Sequence, residues 1–326
     1  MMMKLKNICL VLWLAAAAWS CGVDDEGPQV EVIPPKLLSE VSVDNDAEIV
    51  AFLKNHFYNY DEFQSPPADF DYRIRFDTIA GENADKISIF DSGQLNAVEF
   101  GSETISVTSA DVGVVSGGEV INSKFYYLVV RQGVSESVPT IGDNSILRYE
   151  GSLLNGQIFD SQVSQPVKFN LSQILRGWGN GMEYFKTGSA VIENGDGTFT
   201  YEDYGIGAIF MPSELAYFNT PTSNLIPIYA PLVFKIDAFS FEPNTDTDQD
   251  GIPSILEDLN MDGNLNNDNT DSADEVQTTI VNYLDADDDN DGIPTIEEIN
   301  LNADGTFLSF KFTNGGTIPD HLNIDL

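Results

Sequence analysis

The pair Asn155-Gly156 commits the middle of this chain to an antiparallel hairpin. It stands between two apolar runs, and a tight two-residue turn asks for positive φ at both central positions, which Asn and Gly tolerate best. Leu147-Arg148-Tyr149-Glu150-Gly151 reads as the strand before the turn, ending at its glycine, and Phe159-Asp160 lies on the strand that returns. Ile174-Leu175-Arg176-Gly177-Trp178 then opens a short helix. Ile174, Leu175, Trp178 and Met182 fall at i, i+1, i+4 and i+8, so one apolar face is free to lie against the sheet.

Charge narrows what the chain can bind. Its 326 residues hold 52 Asp plus Glu against 15 Lys plus Arg, a formal net charge of −37. Phosphate backbones need positive charge, so nucleic acid is excluded as a partner and cations are favoured. From Asp246 to Leu326 the only Lys or Arg is Lys311, which marks a distinct acidic module. The two cysteines, Cys9 and Cys21, offer neither a disulfide framework nor a thiolate metal site. With His56 and His321 the only histidines, a zinc site or a Ser-His-Asp triad has little to build from.

Residues 1–20 read as a secretory leader: Lys4 and Lys6, then an apolar run from Ile8 to Trp19 that is short for a membrane span. Cleavage before Cys21 resembles the processing of bacterial lipoproteins, which implies a lipid-carrying Cys21 and a cell-envelope location at the outer membrane, on its periplasmic or cell-surface face. Ala18 stands where those signals prefer Leu. Asp24-Asp25-Glu26 resembles the acidic surface-export signal of Bacteroidetes lipoproteins; the alternative is plain solvated charge. Residues 21–38, with Pro28, Pro34 and Pro35, form a tether.

Asn45 to Tyr60 reads as a helix, with Asn45 and Glu48 spaced as a capping box and Ile49, Phe52, Leu53, His56, Phe57 and Tyr60 on one face. His56 on that face reads as structural. Tyr72-Arg73-Ile74-Arg75-Phe76 alternates like a strand, and Lys124 to Arg131 is a strong one. The stretch 39–118 is either a small domain of its own or an extension packed on the domain C-terminal to it. Asn194-Gly195-Asp196-Gly197 marks an inserted hairpin, either a flap over a binding site or a decorated turn. Leu232 to Phe241 alternates as a closing strand.

The stretch from Phe125 to Phe241 resembles the FKBP-type peptidyl-prolyl cis-trans isomerases. The resemblance rests on an ordered set: Tyr149-Glu150-Gly151, Asn155-Gly156, Phe159-Asp160-Ser161, Arg176-Gly177-Trp178, Lys186-Thr187-Gly188, Met211-Pro212-Ser213-Glu214-Leu215-Ala216-Tyr217, Ile226-Pro227 and Ala230-Pro231-Leu232-Val233-Phe234. It implies an α+β fold, an FKBP-like antiparallel sheet wrapped on a short helix, and catalysis without a cofactor. It also implies a cavity walled by Tyr149, Phe159, Val167, Ile174, Leu175, Trp178, Ile226 and Phe234, with Trp178 as the floor. Asp160 would line it, Tyr217 would donate its hydroxyl to a substrate carbonyl, and the Leu175 N–H would bind the next one. Two departures stand out. Val167 sits where the family has an aromatic residue. Phe218 follows Tyr217 where the family has glycine; a side chain there disfavours positive φ and would aim Tyr217 differently.

The acidic module carries a metal-ligand spacing. Asp246, Asp248, Asp250, Gly251, Ile252 and Glu257 fall at positions 1, 3, 5, 6, 7 and 12 of an EF-hand-like loop, where position 7 acts through its carbonyl. Asp287, Asp289, Asp291, Gly292, Ile293 and Glu298 repeat these offsets, and Asp258-Leu259-Asn260-Met261-Asp262-Gly263 is a partial third copy. Gly-Ile-Pro after the acidic run resembles thrombospondin type 3 repeats and implies structural calcium; the alternative is a disordered acidic linker.

The organisation read from the sequence is a leader (1–20), a tether (21–38), an N-terminal extension (39–118), an isomerase domain (119–242) and an irregular calcium-loop segment (243–326). The function expected is prolyl isomerisation of proline-containing clients during folding of exported proteins. Two alternatives remain: a chaperone that holds proline segments without turnover, and a calcium-dependent surface adhesion or structural lipoprotein.

Overall fold

The computed structural model describes residues 35–96, 98–114, 118–195, 199–271 and 280–325. The leader, Cys21 and most of the tether lie outside the described residues, as do Asp196 and Gly197 of the inserted turn. Residues 36–326 form one compact unit.

The unit begins with α1 (Leu38–Asn55), then β1 (His56–Tyr58), α2 (Tyr60–Gln64) and β2 (Phe76–Thr78). The main strands begin with β3 (Glu99–Thr108), β4 (Val120–Arg131), β5 (Asn144–Leu153) and β6 (Ile158–Asn170). Then come α3 (Arg176–Gly181), β7 (Ala190–Glu193), β8 (Phe199–Glu202), β9 (Gly205–Met211) and β10 (Leu232–Glu242). Among its described residues, the acidic segment is built of loops and short 3-10 turns, with one small hairpin, β11 (Ile299–Leu301) and β12 (Phe307–Phe310). Six strands make one antiparallel sheet in the order β3-β4-β9-β10-β5-β6.

Both faces of that sheet are covered. Along β4, Phe125, Tyr127 and Val129 join the core that contains Trp178, while Tyr126, Leu128 and Val130 join a second core with Ile49, Phe52 and Leu53 of α1. This two-sided burial explains the nearly unbroken apolar run there, because neither face meets water. The stretch before residue 119 thus supplies an edge strand, β3, and a helical cover.

Three local expectations are corrected. The N-terminal helix starts at Leu38 and ends at Asn55, so Asn45 is a mid-helix residue. Its buried face runs Leu38, Val41, Asn45, Ile49, Phe52, Leu53, and His56 opens β1 with its Nδ1 3.0 Å from the Phe52 carbonyl. Tyr72 takes φ +57, which breaks the alternation from 72 to 76 and leaves only Phe76–Thr78 to pair with β1. The 155–156 turn places only Gly156 at positive φ (+84). The Gly156 N–H bonds the Leu153 carbonyl at 3.0 Å, and the Leu153 N–H bonds that of Gln157 at 3.0 Å. This is a three-residue connection closed by a left-handed glycine, which needs one special residue rather than two.

The β7–β8 hairpin lies away from Trp178. Tyr201 stacks on Phe239 at 4.3 Å, which is five residues and so about 16 Å along β10 from Phe234.

Candidate active site

Four elements converge on one aromatic cluster. β5 brings Tyr149, β6 brings Phe159, Asp160 and Phe169, α3 brings Trp178, and β10 brings Phe234. Trp178 stacks on Phe234 at 4.4 Å between ring centres, meets Tyr149 edge-on at 4.9 Å and Phe169 at 5.5 Å. Phe159 meets Phe234 edge-on at 5.6 Å. Trp178 is 4% exposed and Phe234 2%, so both form the base. Tyr149, Phe159, Phe169, Ile174, Leu175 and Tyr217 are half-buried against the larger hydrophobic core that holds both rings, and Ile226 is buried within that core.

The sequence points to Val167 as a wall residue and passes over Phe169. The register explains why. Leu147 pairs with Val167 but Tyr149 pairs with Gln162, so the residues between 162 and 167 bulge out of β6. Val167 is left half-buried outside the aromatic cluster, and Phe169, two residues on, meets Tyr149 at 5.8 Å. The bulge carries no clear sequence mark, but Phe169 shares Val167's parity and is findable on that ground.

Helix α3 begins at Arg176, so Ile174 and Leu175 precede it rather than open it. Leu175 takes the N-cap position, and among the described residues its N–H makes no hydrogen bond. The indole N–H of Trp178 is likewise buried without a partner among the described residues. The Tyr149 hydroxyl donates to Asp160 Oδ2 at 2.6 Å. Burial, then the hydrogen-bonded Asp160 carboxylate and the nearby Tyr217, hold the Tyr149 hydroxyl pKa well above that of an ordinary tyrosine. It therefore stays protonated and keeps Asp160 oriented at the rim.

Gly151 has a steric purpose. β5 runs past it to Leu153, and a Cβ at 151 would lie 2.8 Å from Phe159 and 2.8 Å from Phe234 ring carbons. Only a residue without a side chain lets both rings close over the strand.

The loop carrying Tyr217 overturns another expectation. Phe218 does adopt positive φ, +47. A left-handed non-glycine residue costs about 1–2 kcal/mol. Here Phe218 is 3% exposed, packs edge-on to Tyr229 at 4.9 Å, donates its N–H to the Ser213 carbonyl at 2.8 Å and accepts from the Tyr229 N–H at 2.7 Å. Asn45 of α1 braces the same loop. Its Oδ1 accepts from the Ser213 N–H at 2.7 Å and its Nδ2 donates to the Tyr229 carbonyl at 3.0 Å, from a side chain 3% exposed. The sequence suggests a cap; the amide is instead a tertiary clamp on the segment that presents Tyr217.

The acidic loops share one backbone form. Asp246, Asp258 and Asp287 each accept from the N–H of the glycine five residues on, at 3.0, 3.0 and 3.2 Å. Those glycines, Gly251, Gly263 and Gly292, have φ of +96, +75 and +94. Carboxylate oxygens of Asp246, Asp248 and Asp250 lie within 4.8 Å of one another, and so do those of Asp287, Asp289 and Asp291. A third such group joins Asp250 and Glu257 to Asp288, a residue the spacing does not single out. Ile252 is buried and Ile293 is exposed; their N–H groups donate to Asp250 and Asp291, each at 2.7 Å. Burial, then Asp248, Asp288 and other acidic neighbours, push the Glu257 carboxyl up to about 11. Burial, then Asp289 and Asp291, push Glu298 up to about 7. The donor set is all oxygen, which suits a hard cation such as calcium.

Residues 135–238 match the family model for FKBP-type peptidyl-prolyl cis-trans isomerase, and residues 247–322 match the model described as BamM C-terminal, a different family from the thrombospondin type 3 repeats. The peptidyl-prolyl cis-trans isomerase Mip of Coxiella burnetii is 29% identical over 38% of this chain and 47% of its own length. A probable FKBP-type isomerase FkpA of Neisseria meningitidis is 33% identical over 37% of this chain and 39% of its own. The outer membrane protein MIP of Legionella longbeachae is 27% identical over 43% and 52%. The crystal structure of FkpA from Escherichia coli aligns at a TM-score of 0.30, with 26% identity, over 36% of this chain and 48% of that one. The chain spans about half or less of the length of these relatives. Residues 135–238, about a third of this chain, are therefore similar to the FKBP-type peptidyl-prolyl cis-trans isomerase family.

Proposed function

We propose that this chain is a prolyl isomerase acting on proline-containing segments of exported proteins at the cell envelope. The observation that carries this reading is the cluster of Tyr149, Phe159, Phe169 and Phe234 around Trp178, with the Tyr149–Asp160 pair at its rim. Rotation about an X–Pro bond faces a barrier of about 18–20 kcal/mol because twisting removes amide resonance. A twisted amide separates less charge than a planar one, so an apolar ring-lined site binds it relatively better, which is catalysis by differential binding. Tyr217 and the Leu175 N–H are the donors that would fix the flanking carbonyls, and no cofactor is required. The full chain should accelerate cis/trans exchange in a proline-containing peptide, and Asp160→Ala or Tyr217→Phe should reduce it. No acceleration at micromolar protein would leave only the chaperone reading.

The acidic segment is read as calcium-ordered, with Asp246, Asp248, Asp250, Ile252 and Glu257 around one ion and Asp287, Asp289, Asp291, Ile293 and Glu298 around another. The buried carboxylates of Asp250, Glu257, Asp288 and Asp289, which have no basic partner among the described residues, support this. Calcium should protect the segment from protease in the full chain; identical digestion in chelator would end the reading. The lipid anchor is assigned to Cys21, and Cys21→Ala should release the protein from membranes. The envelope location accords with the relative named an outer membrane protein.

A further inference from the structure

The run Asp287-Asp288-Asp289 places three consecutive carboxylates in the last acidic loop, while the ligand spacing uses only alternate positions. Asp287 and Asp289 gather with Asp291. Asp288, between them, gathers instead with Asp250 and Glu257 of the first loop, one oxygen from each within 4.8 Å of the others.

These three side chains are almost fully buried: Asp250 is 1% exposed, Glu257 2% and Asp288 2%. Both carboxylate oxygens of Glu257, both of Asp288 and Oδ2 of Asp250 lack any hydrogen-bond partner among the described residues. Among those residues, no Lys or Arg forms an ion pair with them. The segment's one lysine, Lys311, donates to the Glu297 carbonyl. Buried carboxylates are retained when they are paired or coordinate a cation. Oxygens around calcium sit at about 2.3–2.6 Å, so any two ligands of one ion are at most about 5 Å apart. The observed spacing meets that limit.

We propose that Asp288 is a ligand of the cation held by the first acidic loop, so that one calcium-sized divalent ion joins that loop to the last one. The assignment rests on the calcium reading of the acidic segment and adds to it a cross-link between segments about thirty residues apart in sequence. The last loop then serves two ions: its alternate aspartates hold its own, and Asp288 reaches back to the other.

The test uses the full chain, stripped with chelator and titrated with calcium by calorimetry, together with thermal unfolding in calcium and in chelator. Asp288→Asn should weaken one ion at least tenfold, the same ion that Glu257→Gln removes, so the double variant binds no less than Glu257→Gln alone. Combined with Glu298→Gln, Asp288→Asn should weaken both sites. In chelator Asp288→Asn should melt higher than wild type, because the cost of burying an unpartnered carboxyl is gone; in saturating calcium it should melt lower. A residue with only a packing role would shift both midpoints the same way, and that outcome overturns the proposal. So does a titration of Asp288→Asn that matches wild type while wild type binds calcium. A wild-type chain that binds no calcium overturns the calcium reading and this assignment together.

Discussion

Replacing Gly151 by alanine tests whether the aromatic site is set by clearance over β5. The added Cβ would sit 2.8 Å from carbons of both Phe159 and Phe234. Comfortable carbon contacts are about 3.5–4.0 Å, so each ring must retreat by about 0.7–1.2 Å. Phe159 is half-buried and can swing outward; Phe234, 2% exposed and stacked on Trp178, has nowhere to go. Overpacking of this kind costs about 1–3 kcal/mol. A displacement near 1 Å at a positioned site costs about 100-fold in rate, so kcat/KM on a proline peptide should fall about 10- to 100-fold. Gly156→Ala is the matched control. It has open space around it but φ of +84, so it should lose about 1–2 kcal/mol through backbone strain and keep full activity per folded molecule. Urea unfolding monitored by circular dichroism, with exchange rates measured where both variants are folded, separates the two. A fully active Gly151→Ala, or equal activity losses in both, would refute the reasoning.

Asn45→Ala removes two clamps and leaves the Ser213 N–H and Tyr229 carbonyl without their partners; a loss of about 2–3 kcal/mol is expected in urea unfolding, with weaker exchange because the Tyr217 loop loosens. Phe169→Ala should lower both stability and exchange rate while Val167→Ala changes the rate little, a contrast that peptide kinetics will read directly. His321 is 2% exposed against Phe310, and burial pushes its imidazole down to about 4 despite the opposing pull of Asp320. Its folded pKa lies below the unfolded value, so stability should fall as pH drops from about 6.5 towards 4, by up to about 3 kcal/mol. Unfolding measured across that range should show a shallower fall in His321→Phe.

The gathering of Tyr149, Phe159, Trp178 and Phe234 is what the resemblance to the FKBP-type family implies from the order of its motifs, and the rings do meet in the structure. The residues that escape such a reading are decided by tertiary contact. Asn45 has a capping preference, yet two buried backbone groups outbid it. Phe169 is passed over because a strand bulge that no local pattern announces moves Val167 out of the cluster, although the shared parity of the two residues points to it. Phe218 takes a backbone form its side chain disfavours, held there by burial and two hydrogen bonds. Asp288 is invisible to a template that counts every second residue, since its partners come from a different loop. The two-sided sheet is legible only in part: β4 stands out by its apolar run, but β3, rich in Ser, Thr and Glu, does not.

Helix α3 is an unlikely element to stand alone. It has six residues, three of them glycine, and Gly177 and Gly181 press so close to β9 that a Cβ would meet Met211 at 3.0 Å and Ile209 at 2.5 Å. Glycine disfavours helix by about 1 kcal/mol each relative to alanine, and isolated helices shorter than about 12 residues barely form in water. The turn bearing the indole is therefore moulded by a strand that lies after it in the chain. During synthesis it is expected to stay unformed until residues 205–211 have emerged and paired, so a partly made chain would lack the floor of the proposed site until the centre of the sheet is zipped.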